Sequence, residues 1–312
     1  MAKMTLASLK TFVKTYVDAS KQAAEWQKTV NNMFGLIDKI GKIVSIDGDY
    51  NDKLPELDGD ELPLGKTIEE YFVDLTLPAD FDANGAEALT PSAPTVEAAA
   101  YSYTLGRKKI KTTQRYDDLE RAALTSTDAA DMVAKIMEKF RASASLYKFQ
   151  LKKQLLGNLT KKVTPVTLAK PSDTQTSEAV IKAWKNAVED ASFANEGNAI
   201  NTTALIGAAP SLVIYVKKGI MSTVEVDALA GAFHAEKLAV PAHIKVVDDF
   251  GDADAKIWCI MIDPRGVKLH TGYHAVRSQE NADGDFVNFF DHSEYTGFIS
   301  KNTFVRVYSS AQ

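Results

Sequence analysis

The stretch IWCIMIDPRGVKLHTGYHAVR, residues 257–277, places two histidines four residues apart and follows them with an arginine. Imidazoles at that spacing share a face if the segment is helical, and could then hold zinc or pass a proton. With three of the five histidines between 270 and 292, one reading is an α/β enzyme using His270, His274 or His292. The alternation of Val267, Leu269 and Tyr273 around Gly272 predicts a strand instead. Strand residues four apart are separated by ~13 Å, too far to share one metal. His270, His274 and Arg277 are therefore expected on a polar strand face, as contacts with a neighbouring subunit. No catalytic group, cofactor site or metal site is expected.

Other chemistry-bearing patterns give way in the same manner. GDELPLGKT, residues 59–67, has five residues where a phosphate-binding loop has four, and Asp60 and Glu61 would repel a phosphate. The single cysteine, Cys259, lies within an apolar run; it reads as a buried, inert thiol, and with one cysteine no intrachain disulfide can form. Residues 67–100 hold seven carboxylates and no lysine or arginine, whereas LGRKKIKTTQR, residues 105–115, holds five basic residues and no acid. This polarity makes Glu69, Glu70, Asp74, Asp80 and Asp82 on one arm, and Arg107, Lys108, Lys109, Lys111 and Arg115 on the other, candidate inter-subunit contacts.

The net charge of −5 and pI near 5.6 argue against a chain whose main task is neutralising nucleic-acid phosphates. No run approaches ~18 consecutive apolar residues, and MAKMTLASLK lacks an apolar signal core. The expectation is a protein made in a cytoplasm, neither exported by that route nor embedded in a membrane. The 312 residues are 45% hydrophobic, enough for one large core or two smaller ones.

These residues must be positioned by the elements around them. Leu6, Leu9, Val13, Tyr16, Val17 and Ala24 predict an amphipathic helix over 5–28, with a second helical run to Ile40. Residues 38–61 carry eight acids against three lysines and read as an extended arm with little core of its own. IEEYFVDLTL and AAAYSYTLGRKKIKTTQR predict a long two-stranded excursion, one arm acidic and one basic. Val133, Ile136, Met137, Phe140, Ala144, Tyr147, Leu151 and Leu155 form one stripe of a helix over 127–156, with Asp128 and Asp131 in its first turn and Lys152 and Lys153 near its last, matching the helix dipole, and with Gly157 closing it. A further helix opens at Ser177, with Val180, Ile181, Trp184 and Val188 on one face, and closes at NEGN. PSLVIYV, a short helix around 219–233, HIKVVDDFG and KIWCIMIDPRGVKL then alternate as an α/β layer, with Asp263 to Gly266 as a turn. TGFISKNTFVRVYSS reads as a last strand.

In that order the segments resemble the major capsid proteins of tailed bacteriophages, of the Hong Kong 97-like fold. YTLGRKKIKTTQRYDDLERAALTSTDAADMVAKIMEKF resembles a returning hairpin arm leading into the spine helix. PSLVIYVKKGIMSTVEV is similar to the strand and helix after that spine, and residues 257–277 to the late axial-domain strands. The resemblance implies an α+β fold with an N-terminal arm (1–65), an extended β-hairpin or E-loop (66–115), a peripheral domain with the spine helix (116–165 plus 289–312), and an α/β axial domain (166–288). It implies assembly with copies of itself into pentamers and hexamers of an icosahedral phage head. The head would enclose double-stranded DNA without sequence readout, and the protein would be a virion component made in a host bacterial cytoplasm. A portal protein is an implied partner. So is a separate scaffolding protein, because the arm-like helix starts almost at Met1. An encapsulin-like shell or another virion structural protein is the structural alternative.

Overall fold

A computed structural model of the chain describes residues 52–62, 67–73, 96–101, 104–115, 126–193, 199–200, 212–223, 240–251 and 253–310. The helices expected over 5–40, the hairpin tip with Asp74, Asp80 and Asp82, the NEGN closure, and the helix around 219–233 beyond residue 223 lie outside these. In chain order the elements are β1 (Asp58–Glu61), β2 (Ile68–Val73), β3 (Val96–Tyr101), β4 (Thr104–Arg115), α1 (Ser126–Thr160), β5 (Val166–Thr167), α2 (Thr174–Ser192), β6 (Val213–Lys217), β7 (His243–Val247), β8 (Ile257–Ile262), β9 (Val267–Asn281), β10 (Phe286–Ile299) and β11 (Val305–Ser309).

The apolar run IWCIMI becomes β8, buried at every residue, because it is central in a five-stranded sheet ordered β5-β11-β8-β6-β7. One face of that sheet takes α2, whose Val180, Trp184, Ala187, Val188 and Ala191 pack with Trp258, Cys259 and Met261. The start of α2 lies three residues before the expected Ser177. Asp173 forms a capping box with Thr176, accepting its backbone N–H at 2.8 Å, and satisfies a donor that the first turn would leave open. Ser177 is consequently inside the helix and buried.

The opposite face of the sheet meets the last third of α1. This helix has 35 residues, about 52 Å at ~1.5 Å per residue. It runs through Gly157 rather than stopping there. Leu155, Leu156 and Leu159 are all essentially buried, so the extra turn is drawn onto the core, and Thr160 Oγ1 closes it by donating to the Gly157 carbonyl at 2.6 Å.

A second, four-stranded sheet is ordered β1-β9-β10-β4. Its centre is the long hairpin of β9 and β10, paired from Asn281 with Phe286 to Val267 with Ile299. Its turn is shaped by Asn281, whose Oδ1 accepts the N–H groups of Asp283 and Gly284, both at 3.1 Å. The single last strand expected over TGFISKNTFVRVYSS is two strands in different sheets. Gly266 O accepts Ser300 N–H at 2.7 Å, turning the chain after β10, and β11 then enters the five-stranded sheet beside β8.

The hairpin forms at its base, where β2 pairs antiparallel with β3 from Ile68 with Tyr101 to Val73 with Val96. The basic segment does not face the acidic one, as expected, but leaves this ribbon: β4 pairs with β10, Arg107 opposite Glu294 and Arg115 opposite Phe286. An isolated two-stranded ribbon is marginal in water, and a third strand with a half-buried face stabilises the pairing.

The segment 52–62 also departs from expectation. It is acidic and makes a 3-10 turn at Pro55–Leu57 before β1, yet Leu54 and Leu57 are 0% exposed and belong to the same cluster as Leu155, Tyr215, Leu269 and Tyr295. Leu57→Ala is expected to cost about 2–5 kcal/mol, read as a lowered urea midpoint; a change below ~0.5 kcal/mol would show that this strap is peripheral to the core.

Candidate interaction surface

The histidines that invite a catalytic reading are strand residues with packing partners. His270 Nδ1 lies 3.0 Å from the Asp60 carbonyl oxygen, and its ring sits so close over Gly59 that a Cβ there would come within 2.4 Å of Nδ1. His274 Nε2 is 3.0 Å from the buried Asp291 Oδ1 across the β9–β10 pair. Among the described residues no three His, Cys, Asp or Glu side chains gather as a metal site. Cys259 is fully buried, and burial pushes its thiol well above the ordinary value, as for an inert core cysteine.

Charge is concentrated in two other places. The first is internal. Lys152, expected to complement the dipole at the end of α1, is instead 0% exposed, because α1 continues past it into the core. Its ammonium is held by Asp52, by Asp58 at 2.8 Å and by the Leu54 carbonyl at 2.7 Å. Lys148 reaches Asp58 at 2.6 Å. Glu56 accepts from the Tyr215 hydroxyl at 2.7 Å and from Lys245, and its backbone carbonyl accepts from Lys268 at 2.8 Å. Lys153 bridges to Asp248 and Asp249 at 2.8 and 3.0 Å. Burial acts to raise the Asp58 carboxyl, but the hydrogen bonds and charges of Lys148 and Lys152 outweigh it and hold it below the ordinary carboxylate value. The same contest holds Lys153 above the ordinary lysine value: burial lowers it, and its two carboxylates raise it by more.

Sequence reasoning missed these residues. The available signal was the period of α1, since Lys148 and Lys152 flank Leu151 and Leu155 on one turn after another, together with the excess of acids over lysines in residues 38–61.

The second place is the surface of the four-stranded sheet. Arg107, Lys109 and Lys111 alternate along one face of β4, opposite Glu294, His292 and Phe290 of β10, which in turn face Tyr273, Ala275 and Arg277 of β9. Arg107 reaches Glu294 at 3.3 Å and lies over the Tyr273 ring at 4.3 Å. Lys109 and Lys111 lie 6.0 and 5.9 Å from the Phe290 ring, within cation–π reach. Arg277 donates to the Tyr273 hydroxyl at 3.4 Å. Lys108 and Arg115 are exposed. On the hairpin, Glu69 accepts from the Tyr71 hydroxyl at 3.0 Å. Glu70 is engaged within the chain, by Tyr101 at 2.8 Å and by Ser300. Tyr71, Val73 and Val96 are 68%, 55% and 59% exposed, so the ribbon presents apolar side chains beside its acids.

Against this geometry, comparison with known proteins is decisive for family. Residues 5–307 match the Phi29-like phage major capsid protein family. This chain belongs to that family. Curated relatives include the major capsid protein of Bacillus phage PZA, 23% identical over 284 residues that cover 88% of this chain and 63% of the relative, and that of Bacillus phage B103, 22% identical with coverages of 85% and 60%. The chain spans about three fifths of the length of these relatives. Among solved structures, the capsid of Staphylococcus phage Andhra superposes with a TM-score of 0.62 at 14% identity, over 84% of each chain. A bacteriophage P68 structure, of head fiber and inner core protein gp22, superposes with a TM-score of 0.61 at 14% identity, over 81% of this chain and 83% of that one. At such identities the likeness is one of fold: a mixed α+β architecture similar to phage capsid folds. The family and these curated relatives are structural proteins rather than enzymes, so the resemblance read from the sequence is borne out and the histidine enzyme is not.

The internal ion cluster has a pH signature. Because the folded-state pKa of Asp58 lies below its unfolded value of ~3.9, its contribution is present above pH ~4 and is lost as pH falls through the folded value. Lys152→Met should lower stability by about 3 kcal/mol near neutral pH, by leaving Asp52 and Asp58 without their buried partner. It should also shrink the difference in urea midpoint between pH 5 and pH 3; an unchanged difference would remove Lys152 from the account.

Proposed function

We propose that the chain is the shell-building subunit of a phage head, a virion component made in the cytoplasm of its bacterial host. Copies associate into pentamers and hexamers that close an icosahedral shell. Double-stranded DNA is held inside without sequence readout, and a portal and a scaffolding protein are further partners. The observation that carries this reading is the family match along residues 5–307. It is supported by a chain that leaves an acidic, partly apolar ribbon and a basic strand facing outward. In the Hong Kong 97-like frame, α1 is the spine helix of a peripheral domain (116–165 plus 289–312), β2 and β3 are the root of the E-loop, and α2 with β6, β7 and β8 belongs to the axial domain (166–288), whose β8 pairs with β11 of the 289–312 segment. Residues 1–65 form the arm, whose last part is the strap 52–62.

The contact chemistry is electrostatic selection over a modest apolar area. The carboxylates Glu69, Asp74, Asp80 and Asp82 of one copy meet Lys108, Lys109, Lys111 and Arg115 of the next, with His270, His274 and Arg277 on β9 of the same sheet as secondary contacts. Each opposed pair contributes only ~0.2–1 kcal/mol. Repetition around a closed ring makes such weak contacts sufficient, and complementarity fixes which neighbour is accepted.

Since Arg107 is already held by Glu294, the informative variant is Lys108→Glu/Lys109→Glu/Lys111→Glu. It should keep the circular dichroism of the parent and sediment as a subunit, whereas the parent, expressed with its scaffold, gives rings or closed shells in negative-stain images. Normal shells from the triple variant would contradict the charge assignment. A parent that remains a monomer or dimer would contradict the function itself.

A further inference from the structure

The ribbon of β2 and β3 is rooted at the pair Ile68 and Tyr101, and within three residues of Tyr101 the chain has entered β4 of another sheet. Close packing does not fix the angle between ribbon and body. Beside the root lies a cavity of about 580 Å³, lined by Ala100 and Tyr101 of the ribbon, Asn158, Lys161 and Lys162 at the end of α1, and Ile299 of β10. Groups that border a void forfeit the contacts that would hold them on that side, so the ribbon has room to swing toward α1.

Glu70 ties the root down. One carboxylate oxygen accepts the Tyr101 hydroxyl at 2.8 Å, within the ribbon, and the other accepts the Ser300 hydroxyl, on the body. Ser300 is a firm post. It is buried, its N–H donates to the Gly266 carbonyl at 2.7 Å, and its Oγ accepts the Asn302 N–H at 3.0 Å, at the point where the chain crosses from the four-stranded sheet to the five-stranded one. The Tyr101 ring meets Phe298 edge-on with centroids 5.1 Å apart, so the hydroxyl that Glu70 holds belongs to a ring already seated on β10. Strand alternation separates this carboxylate from its neighbour: Glu69, Tyr71 and Val73 are exposed, whereas Glu70 is half-buried against the body.

We propose that Glu70 is a positioning residue that sets the pitch of the hairpin relative to the body, and so aims the arm that assembly uses. The consequence for assembly rests on the function proposed above; the anchoring does not. Hydrogen bonds to a charged group shift an equilibrium by about tenfold or more each, so Glu70→Ala should raise the fraction of released ribbons by at least that factor.

Spin labels on Val96→Cys, in the ribbon, and Lys161→Cys, across the cavity, report that fraction in the whole chain, with the buried Cys259 left unlabelled. The labelled parent should give one narrow distance distribution, and Glu70→Ala a displaced or second one. Glu70→Gln keeps an oxygen for Ser300 and an amide that donates to the Tyr101 oxygen, and should restore the narrow distribution. Unlabelled variants expressed with the scaffold complete the test: Glu70→Ala should lose closed shells in negative-stain images and Glu70→Gln should keep them. If Glu70 acted as a charge toward a neighbour, the glutamine variant would fail as fully as the alanine one, and the proposal would be overturned. An unchanged distance distribution in Glu70→Ala would overturn the anchor, and released ribbons with normal shells would overturn its role in assembly. A parent that forms no ring or shell would overturn the proposed function, while the distances still decide the anchor. Should Glu70→Ala fail to fold, Tyr101→Phe, which removes one of the two bonds and keeps the ring, is expected to release a smaller fraction, and no release there would count against the anchor.

Discussion

An ammonium group taken wholly out of water must find its counter-charges, and Lys152 determines where the segment 52–62 has to lie. Its side chain is fully buried on α1, where an unpaired charge would be untenable. Asp52, Asp58 and the Leu54 carbonyl meet it from a segment about a hundred residues earlier. That obligation holds 52–62 against the helix, and the segment does the rest: Leu54 and Leu57 enter the core, Glu56 fastens to Tyr215 and Lys245 of the five-stranded sheet, and β1 pairs in parallel with β9 of the four-stranded one. One short strap thereby joins the long helix to both sheets. Lys153, the next residue, performs the complementary task toward Asp248 and Asp249.

The contrast with the outside explains how such a chain can be a building block. Charges at the junction of helix and sheets are matched within the subunit, where removing one partner is costly. Charges on β4 and on the hairpin are only partly matched: Arg107 has Glu294, while Lys108, Lys109 and Lys111 remain solvated. Solvated charges contribute little to the fold but govern encounter and partner choice. On the proposed reading rigidity and assembly fall to different residues, and a subunit so divided would hold its shape while joining its neighbours through contacts that are individually weak.

What could be read from the sequence follows the range of the interactions involved. The long helix was legible because its apolar stripe repeats locally, and β8 with its Asp263 to Gly266 turn was legible from an unbroken apolar run ended by Pro264 and Gly266. Asp173 was overlooked as a cap because Ser177 competed with it, although its partner Thr176 stands three residues on. The destination of β4 was not legible: nothing within residues 104–115 says that their partner is 286–299 rather than the adjacent acidic arm. Opposite charge suggested the nearer segment, and the aromatic and aliphatic side chains of β10 prevailed by offering a half-buried face. Lys152 was hidden for the same reason, since its acids lie far away in sequence.

The fold settles its buried charges internally, and we propose that the acidic arm and the basic strand are satisfied by another copy. The most direct measurement is an electron cryomicroscopy reconstruction of assembled particles at a resolution that shows side chains. The account predicts Lys152 still enclosed by Asp52 and Asp58 of its own chain, and the 68–82 arm of a neighbouring copy lying along β4 with its carboxylates near Lys108, Lys109 and Lys111. A particle in which that arm folds back on its own subunit, or in which β4 faces solvent in every copy, would contradict it.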